Sequence, residues 1–574
     1  MTETLIARFF ANADRLGSHV THWFCADGRW VPVGWRSAAQ LVRSFASGLI
    51  DMGHEKGNAL AILSSTRREW LLADLGNMAA GGVTVGVYAT MTAEQSRYII
   101  AHSDARFLVV ENAAQLAKIE TVRAELPRLL SIIVIDADGV TRRPGVTTLA
   151  AVLERGRAAR RDVDARADRL QLDDAATLIY TSGTTGPPKG AIIRHGNIVA
   201  ALTSLEIVPH HANDSGFSFL PLAHALQRAV DYQGAWRGTP GAYARSLETV
   251  VEDLAATRPT VMAAVPRIFE KVFQRANEQA AAAGARKKKI FDWAVAVGRQ
   301  ASALDQKKQP HPPALARKLA VARLLVFARL RERLGGRVRL FVTGGAPIAP
   351  EILEFFHAAG ITILEGWGMT ETFAAGTLNL PDDFRFGSIG KPIPAVELRL
   401  DDDGELLVRG PNVFSGYYKD EEATRASFTP DGFFRTGDIC RRDGDGFYYI
   451  IDRKKDLIIT AAGKNIAPQN IENLIKSDPR ISQVVAVGDR RPYLVALVAV
   501  APELAGRGEA EVTAMVGDII AQKNRELASY EQVKKFRLLP RELTQEEGEL
   551  TPTLKVKRKV VGERYAALIE SMYA

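Results

Sequence analysis

The segment Tyr180–Gly190 contains the residue types that bind phosphate. It follows a short apolar run, Ala176–Tyr180, and supplies hydroxyls, glycines and a lysine: Thr181, Ser182, Gly183, Thr184, Thr185, Gly186 and Lys189. Glycines let backbone N–H groups approach phosphate oxygens, and the hydroxyls and the lysine add donors and positive charge. A plain surface turn needs no such set, so the segment predicts a phosphate-binding loop.

This loop is not a Walker A loop. The spacing after Gly183 is similar to one, but a Walker A lysine is followed by a Ser or Thr that binds magnesium. Here Gly190 follows Lys189. The sequence therefore argues against the commonest class of nucleotide-binding loop.

The Tyr180–Gly190 segment resembles the signature of the adenylate-forming superfamily, which includes acyl-CoA synthetases, peptide-synthetase adenylation domains and beetle luciferase. Stretches that resemble the other motifs of this superfamily follow in the family's order: Leu220–His224 on the substrate side, Gly344–Pro347 and Glu365–Thr372 for adenine and magnesium, Phe434–Asp438 for ribose, Asp452–Asp456 as the hinge, Gly463–Pro468 after it, and Leu550–Arg558 with a catalytic lysine. Each motif alone has low specificity, whereas the ordered set spans nearly the whole chain.

The resemblance implies a reaction in two steps. A carboxylate first attacks the α-phosphate of ATP, which gives an acyl-adenylate and pyrophosphate. The thiolate of CoA then attacks the adenylate and releases AMP. The first step brings two anions together, so the site needs cations and a divalent metal where charge accumulates. The implied cofactors are ATP, Mg²⁺ and CoA as co-substrate.

The resemblance also implies which lysine is catalytic. The Thr-x-Lys spacing at Lys555 matches the family's Thr-Gly-Lys, although Leu554 replaces the glycine. Lys555 is therefore expected to close over the α-phosphate and the carboxylate. Lys557 is the alternative.

Two further positions take catalytic or metal-binding roles by the same resemblance. Glu371 is the implied magnesium ligand and catalytic carboxylate, with Thr184 contacting the same metal or its phosphate. His224 is expected to border the acyl pocket, to change position between the half-reactions and to be a catalytic residue. A lone histidine without this context is more often a packed core residue.

The resemblance assigns a larger set of residues to the nucleotide. Trp367, where the family commonly has Tyr, is expected to stack on adenine, and Asp438 to accept the ribose hydroxyls, because an ionised carboxylate offers two acceptor oxygens. Arg453 is expected to support the ribose or the phosphates. The full set of nucleotide contacts is Thr181, Ser182, Gly183, Thr184, Thr185, Gly186, Lys189, Gly345, Ala346, Pro347, Glu365, Gly366, Trp367, Gly368, Met369, Thr370, Asp438 and Arg453.

Within the superfamily the chain most resembles long-chain fatty acyl-CoA synthetases. The resemblance rests on Ser218–Arg228 and on Arg258–Lys271, which a long basic insertion follows. It implies that a long-chain fatty acid, ATP and CoA give acyl-CoA, AMP and diphosphate. Gln227 stands where the subgroup often has Glu, so a medium-chain or other hydrophobic acid stays open as an alternative.

Three alternative hypotheses differ in what the chain does with the adenylate, or in whether it forms one. Delivery to a carrier protein instead of CoA stays open. A carboxylic acid reductase would need carrier and reductase domains after Lys555, where little sequence follows. A binding protein without activity would lack catalytic residues, and the expected ones are present.

The composition is that of an ordinary globular protein. Of 574 residues, 47% are apolar and 24% charged, and such a length predicts roughly three to five structural units. We expect no secretory signal, and the sequence has no run of about 18 apolar residues. Cys25 and Cys440 form no metal-spacing motif. We expect a cytoplasmic enzyme, as a monomer or a homodimer.

The positive charge is concentrated in one stretch. Between Arg286 and Arg339 there are fifteen Lys and Arg against three acids, so this stretch carries +12 in a chain of net charge +8. It could face anionic lipid at a membrane periphery, a polyphosphate ligand, or solvent alone. Nucleic acid is not expected, because no binding motif accompanies the charge.

Hydrophobic patterns predict the architecture that positions these motifs. Strands alternate with helices over the first 150 residues, which favours an α/β fold with parallel pairing. We predict a large N-terminal domain of several sub-domains with mixed parallel sheets over residues 1–452, and a small mobile α+β domain over 453–574 that swings about Lys455. Arg155–Arg169 has no apolar stripe and predicts a solvated connector. Asp443–Gly446 predicts a hairpin turn, and Ala314–Leu334 a helix.

Overall fold

The computed structural model describes residues 3–141, 143–181, 187–459, 465–504, 506–551 and 556–574. Within these ranges the chain is an α/β protein with several mixed parallel and antiparallel sheets, followed by a C-terminal unit with its own sheet and core. This confirms the predicted fold class.

The strands of the described residues are, in chain order, β1 Val20–Ala26, β2 Arg29–Gly34, β3 Ala59–Leu63, β4 Val83–Val87, β5 Phe107–Val110, β6 Ser131–Val134, β7 Val146–Thr148, β8 Ala175–Thr181, β9 Lys189–Arg194, β10 Gly216–Ser218, β11 Gly241–Tyr243, β12 Val261–Ala263, β13 Leu340–Thr343, β14 Thr362–Trp367, β15 Thr377–Leu378, β16 Lys391–Pro392, β17 Glu397–Leu400, β18 Glu405–Arg409, β19 Phe434–Arg442, β20 Tyr448–Arg453, β21 Ile458–Ile459, β22 Asn465–Ile466, β23 Ile481–Val487, β24 Leu494–Val500 and β25 Val533–Leu538.

The α-helices of the same ranges are α1 Leu5–Leu16, α2 Trp35–Asp51, α3 Arg68–Ala79, α4 Ala93–His102, α5 Ala113–Glu120, α6 Leu149–Ala159, α7 Val163–Asp168, α8 His195–Ser204, α9 Ala225–Arg237, α10 Val250–Thr257, α11 Pro266–Ala282, α12 Ala285–Asp305, α13 Pro313–Ala322, α14 Ala328–Arg333, α15 Pro350–Ala358, α16 Glu421–Ala426, α17 Pro468–Lys476, α18 Glu509–Lys523, α19 Arg558–Arg564 and α20 Ala566–Glu570.

A seven-stranded sheet in the order β7-β6-β5-β3-β4-β8-β9 carries the predicted phosphate loop. Its strands run parallel except β9, which pairs antiparallel with β8. Strands β3, β4 and β5 are short apolar runs, and each is buried throughout, as parallel strands covered on both faces are. The β8–β9 pairing therefore places Thr181 and Lys189, the described residues on either side of the predicted loop, next to each other at one end of the sheet.

A second sheet, in the order β12-β13-β14-β15-β16, carries the predicted adenine motifs. Strands β12, β13 and β14 are parallel, so the residues after β13 and at the end of β14 meet at one edge. This edge is where ligands bind in open α/β sheets.

A third sheet, β17-β18-β19-β20, is antiparallel throughout. The hairpin predicted at Asp443–Gly446 joins β19 to β20. The predicted domain boundary at 452/453 falls at the end of β20, and it stays a prediction. The C-terminal unit contains the sheet β23-β24-β25 with α17 and α18 in its core.

The prediction of a connector at Arg155–Arg169 is wrong, because the structure places most of this stretch in α6 and α7, although most of its side chains are exposed as predicted. Helix α6 crosses α2 so closely that a Cβ on Gly156 would lie 1.8 Å from the carbonyl oxygen of Ser44, and one on Gly48 would lie 2.3 Å from that of Val152. Because the two glycines allow this close contact, α6 packs against α2 without a stripe of apolar side chains. A prediction that depends on such a stripe therefore does not find the helix.

The helix predicted at Ala314–Leu334 is present. It consists of α13, a π-helical turn at Arg323–Phe327, and α14. No helix in the described ranges combines the length and the apolar character needed to cross a bilayer.

A buried ion pair ties α9 to the rest of the N-terminal region. The Arg228 guanidinium donates to both carboxylate oxygens of Asp74 on α3, at 3.1 and 2.6 Å, and to the hydroxyl of Thr177 on β8 at 2.7 Å. Tyr232 also donates to Asp74. A buried charge is tolerated when it is paired and hydrogen-bonded, so this network sets where α9 lies.

Candidate functional site

A continuous cavity of about 2,880 Å³ lies between the N-terminal sheets and the C-terminal unit. The sequence-predicted site residues within the described ranges all line it: Thr181, Lys189, His224, Gly345, Ala346, Pro347, Glu365, Gly366, Trp367, Gly368, Met369, Thr370, Glu371, Asp438 and Arg453. The predicted residues Ser182, Gly183, Thr184, Thr185, Gly186 and Lys555 lie outside the described residues. Where the predicted residues can be placed, the fold brings them together, and their individual roles stay predictions.

Tyr417 joins two of the predicted residues at the phosphate side. Its hydroxyl donates to Oε1 of Glu371 at 2.7 Å, and the Nζ atom of Lys189 lies 5.4 Å from its ring centre. Burial and the adjacent Glu371 raise the pKa of Tyr417, so the phenol keeps its proton and remains a donor. Lys189 also pairs with Asp420 at 3.2 Å. Glu371 and Lys189, the carboxylate and the cation expected around Mg·ATP, therefore both lie beside Tyr417.

Backbone pairing brings Tyr417 to this position. The amide of Ile192 donates to the carbonyl of Gly416 at 3.0 Å, and that of Tyr418 to the carbonyl of Gly190 at 2.8 Å. The segment runs antiparallel beside β9, with an isolated bridge between Ala191 and Tyr417. Sequence reasoning did not find Tyr417; the only local signal is an aromatic pair after a glycine with φ of 138°.

The backbone that holds Glu371 is strained. After the 3₁₀ turn Thr370–Thr372, Phe373 and Ala374 adopt φ of 48° and 61°, a left-handed conformation that costs a side-chain-bearing residue of order 1 kcal/mol or more. Ala374 folds back against Gly368, where a Cβ would lie 2.3 Å from the Ala374 carbonyl carbon. The glycine is needed for this close approach, and it orients the turn that carries Glu371.

Trp367 and Arg453 both bind the buried Asp438. The indole Nε1–H donates to Oδ2 at 2.7 Å, and the Arg453 Nε lies 2.7 Å from Oδ1. Asp438 and Arg453 are register partners on β19 and β20. The sequence predicted nucleotide roles for all three residues without predicting these bonds. Each carboxylate oxygen keeps a further acceptor site, so the arrangement can still receive ribose hydroxyls.

Glu365 is a buried carboxyl at the end of β14. Its Oε2 accepts a hydrogen bond from the amide of Gly387 at 2.8 Å. Burial raises its pKa to about 8, because removal from water disfavours the charged form more than the single amide hydrogen bond favours it. At neutral pH the carboxyl is protonated and can donate a hydrogen bond toward the cavity.

His224 caps the first turn of α9. Its Nδ1 accepts from the amide of Leu226 at 3.2 Å, which places the imidazole proton on Nε2 when the ring is neutral. The neighbouring Ala223 lies against Gly86, where a Cβ would be 2.8 Å from the Ala223 Cα. In addition to capping α9, His224 lines the cavity.

The amide of Gln227 also fits its buried surroundings. Its Oε1 accepts from the amide of Leu220 at 3.3 Å, and its Nε2 donates to Asp231 at 2.7 Å. Burial raises the pKa of Asp231 to about 6. A glutamate at position 227, once ionised, could not donate this bond, so Gln227 and Asp231 are matched.

The hinge segment is attached to the third sheet by a second contact that sequence reasoning missed. The Nζ atom of Lys454 lies 2.9 Å from buried Glu405, which also accepts from the amide of Gly437 at 2.9 Å. Lys454 reaches Asp403 as well. The next residue, Lys455, lies on the cavity wall, and burial together with Arg453 lowers its pKa.

The chain matches the family AMP-binding enzyme over residues 9–418 and its C-terminal domain over residues 455–574. It belongs to the AMP-binding enzyme family. This agrees with the cavity, in which the expected phosphate-side and ribose-side residues converge.

Similar proteins extend over nearly the whole chain. It is 38% identical to the long-chain-fatty-acid–CoA ligase FadD15 of Mycobacterium tuberculosis, over 95% of this chain and 93% of that protein. It is 32% identical to the long-chain-fatty-acid–CoA ligase ACSBG2 of Xenopus laevis, over 99% and 84%. The A-PCP didomain of carboxylic acid reductase from Segniliparus rugosus in complex with AMP matches with a TM-score of 0.80 at 24% identity, over 100% and 82%, which shows a shared fold.

The raised pKa of Glu365 predicts how stability depends on pH. Between the ordinary value of 4.5 and about 8, the unfolded chain releases this proton while the folded chain retains it, so the free energy of unfolding falls as pH rises. The side-chain amide in the Glu365→Gln variant ionises in neither state. We expect this variant to gain stability relative to the wild type between pH 5 and pH 8, measured by urea unfolding.

Glu421→Gln is the matched control for this measurement. The Glu421 side chain is 92% exposed, so water solvates its carboxylate in the folded and the unfolded chain alike. A difference between wild type and Glu365→Gln that stays constant from pH 5 to pH 8 would contradict the assignment.

Proposed function

We propose that this protein is a long-chain fatty acyl-CoA ligase that forms AMP. It converts a long-chain fatty acid, ATP and CoA into acyl-CoA, AMP and diphosphate through an acyl-adenylate. The proposal rests on the convergence of Glu371, Asp438 and His224 on one cavity. The long-chain ligases that resemble this chain over nearly its full length support the choice of acid.

The described residues suit the first half-reaction. Asp438 orients the ribose by accepting its hydroxyls, while Lys189 supplies positive charge beside the phosphates. Glu371 presents its carboxylate to the cavity with the Tyr417 phenol on one oxygen, a donor set that fits Mg²⁺. Glu371 and Thr184 would hold Mg²⁺, which supplies charge neutralisation at the phosphates.

The second half-reaction requires the C-terminal unit to move. In this proposal Lys555 stabilises charge on the α-phosphate during adenylation. A rotation about Lys455 then withdraws it and presents the Gly463–Pro468 region to the pantetheine of CoA. The ion pair of Lys454 with Glu405 precedes the pivot, so the strand before it stays attached to the third sheet. Domain rotation of this kind is a known gating step.

The basic stretch bears on where the reaction takes place. We also propose that residues 286–339 contact anionic membrane, because long-chain fatty acids partition into bilayers.

A substrate panel tests the proposed activity. We expect pyrophosphate release with ATP to be greatest with long-chain acids when C2 to C24 and aromatic acids are compared, and thioester to form with free CoA. Pyrophosphate release and thioester mass spectrometry are the measurements. Preference for a medium-chain or aromatic acid, or thioester only on a holo-carrier protein, would replace the proposal with one of its alternatives.

Substitution of Lys555 separates the two half-reactions. We expect Lys555→Ala to slow adenylate formation by roughly 10²–10³-fold, the cost of removing one transition-state donor, and to spare thiolysis of supplied acyl-adenylate by CoA. Lys557→Ala is the control and should leave adenylation near wild type. Equal loss of both half-reactions in Lys555→Ala, or selective loss in Lys557→Ala, would refute the assignment.

Substitution of Glu371 tests the metal site. We expect Glu371→Gln to raise the Mg²⁺ concentration for half-maximal pyrophosphate release at least about tenfold, because the variant loses a formal charge at a divalent-cation site. Tyr417→Phe keeps the carboxylate and removes only the 2.7 Å hydrogen bond, so its Mg²⁺ dependence should change less. Unaltered activity of Glu371→Gln at limiting Mg²⁺ would exclude the metal role.

A further inference from the structure

We infer that a helical hairpin on the surface docks this enzyme on an anionic bilayer by inserting an apolar ridge between exposed cations. The hairpin consists of α12 and the continuous helix Pro313–Arg333, and the ridge consists of Val321, Leu324 and Leu325. The reason for membrane docking rests on the proposed long-chain substrate. The position of the docking surface rests on the exposed side chains of the hairpin.

The ridge is an unusual feature for a water-facing helix. Val321, Leu324 and Leu325 are 46%, 74% and 63% exposed, and their spacing of three and four residues places them on one face. On the opposite face, Leu319 and Phe327 are buried in apolar clusters. The helix is therefore apolar on both sides, and only the inner side has a partner within the described chain.

The π turn helps to keep the ridge apolar. Within Arg323–Phe327 the first three side chains are exposed in succession. The Arg323 guanidinium nevertheless folds back and donates to the carbonyl of Ala358 at 3.0 Å, and Arg331 donates to the carbonyl of Ala359 at 3.1 Å. Both cations satisfy the C-terminal carbonyls of α15, which leaves the leucines outermost.

The structure divides the basic stretch into paired and unpaired cations. Several form ion pairs: Lys288 with Asp292 on the same helix, and Arg299 with Glu354, Lys308 with Asp383 and Arg339 with Asp214 outside the stretch. Ten exposed cations of this stretch have no carboxylate of the described residues within ion-pair distance, and three of them, Arg323, Arg333 and Arg337, instead donate to uncharged oxygens. The other seven are available to a ligand outside the protein: Arg286, Lys287, Lys289, Lys307, Arg317, Lys318 and Arg329.

Six of these seven cations flank the ridge. Arg317, Lys318 and Arg329 lie on the same helix, within two turns of Leu324 or Leu325. The start of α12 packs beside the π turn, because Phe291 on α12 and Phe327 share one core cluster. This brings Arg286–Ile290 to the same region, and Ile290 adds a further side chain that is 45% exposed.

An anionic bilayer fits this surface better than other occupants. In a bilayer the hydrocarbon region, which the leucines can enter, lies directly below the phosphate groups, which the cations can bind. Amphipathic helices that lie on a membrane surface bind in this way. A second copy of the chain in a twofold interface would bring the same cations face to face. Nucleic acid would match the cations and leave the leucines in water.

Vesicle co-sedimentation of the full-length protein tests the inference. We expect binding to phosphatidylcholine vesicles that contain phosphatidylglycerol, weaker binding to phosphatidylcholine alone, and weakening by salt. Leu324→Ser/Leu325→Ser should lose roughly tenfold or more in vesicle affinity, from the apolar area left in water. Arg286→Glu/Lys287→Glu/Lys289→Glu should lose at least about 100-fold, at roughly fivefold per cation removed.

Each variant has a matched control on another surface. Leu130→Ser/Val251→Ser alters two apolar residues that are 45% and 49% exposed, and Lys534→Glu/Lys535→Glu/Arg537→Glu makes the same charge change on exposed β25 positions. Both controls should bind vesicles like the wild type. Circular dichroism and thermal unfolding verify that all variants fold.

The outcomes separate this inference from the proposed function. Absence of wild-type binding to anionic vesicles, or equal binding by ridge and control variants, would overturn docking. So would sedimentation velocity showing that the ridge variant loses only self-association. Pyrophosphate release with the same C2 to C24 acid panel in vesicle-free buffer reports the chemistry alone. Its failure with every acid would remove the proposed function, and its persistence without vesicle binding would remove only docking.

Discussion

The carboxylate of Asp438 joins three parts of the molecule that the reaction requires together. It receives the indole N–H of Trp367 from the second sheet and the guanidinium of Arg453 from the last strand before the C-terminal unit. A carboxylate buried here without donors would be costly. The charge therefore holds the adenine-side edge and the hinge in one geometry, and Lys454 with Glu405 reinforces it.

The substrate side depends on a comparable buried charge. Arg228 on α9 is paired with Asp74 and bonded to Thr177 of the large sheet, so the first turn of α9, which His224 caps, has a defined position against the phosphate-loop sheet. Two buried ionic networks thus orient the helix beside the proposed acyl pocket and the strand beside the proposed ribose site. Apolar packing around them supplies the stability that buried ion pairs supply poorly.

Close backbone contacts set the remaining geometry. Gly368 admits Ala374, Gly86 admits Ala223, and Gly156 admits Ser44. In each case a Cβ would overlap backbone atoms, so the glycine is required by distance rather than by turn type. The strained pair Phe373 and Ala374 persists because surrounding hydrogen bonds hold it, such as that from the amide of Phe414 to the carbonyl of Glu371 at 2.7 Å.

The sequence by itself determined the order of the motifs, the family they indicate and the buried strands, because a strand covered on both faces is a continuous apolar run such as Ala59–Leu63. Tertiary structure decided what depends on partners distant in the chain: helix α6 against α2, Tyr417 beside Glu371, the two donors to Asp438, and the raised pKa of Glu365. It also decided which cations of the basic stretch are unpaired and that Leu324 and Leu325 face outward. Local patterns record how a residue suits its own helix or strand, whereas pairing and burial arise only when the chain folds.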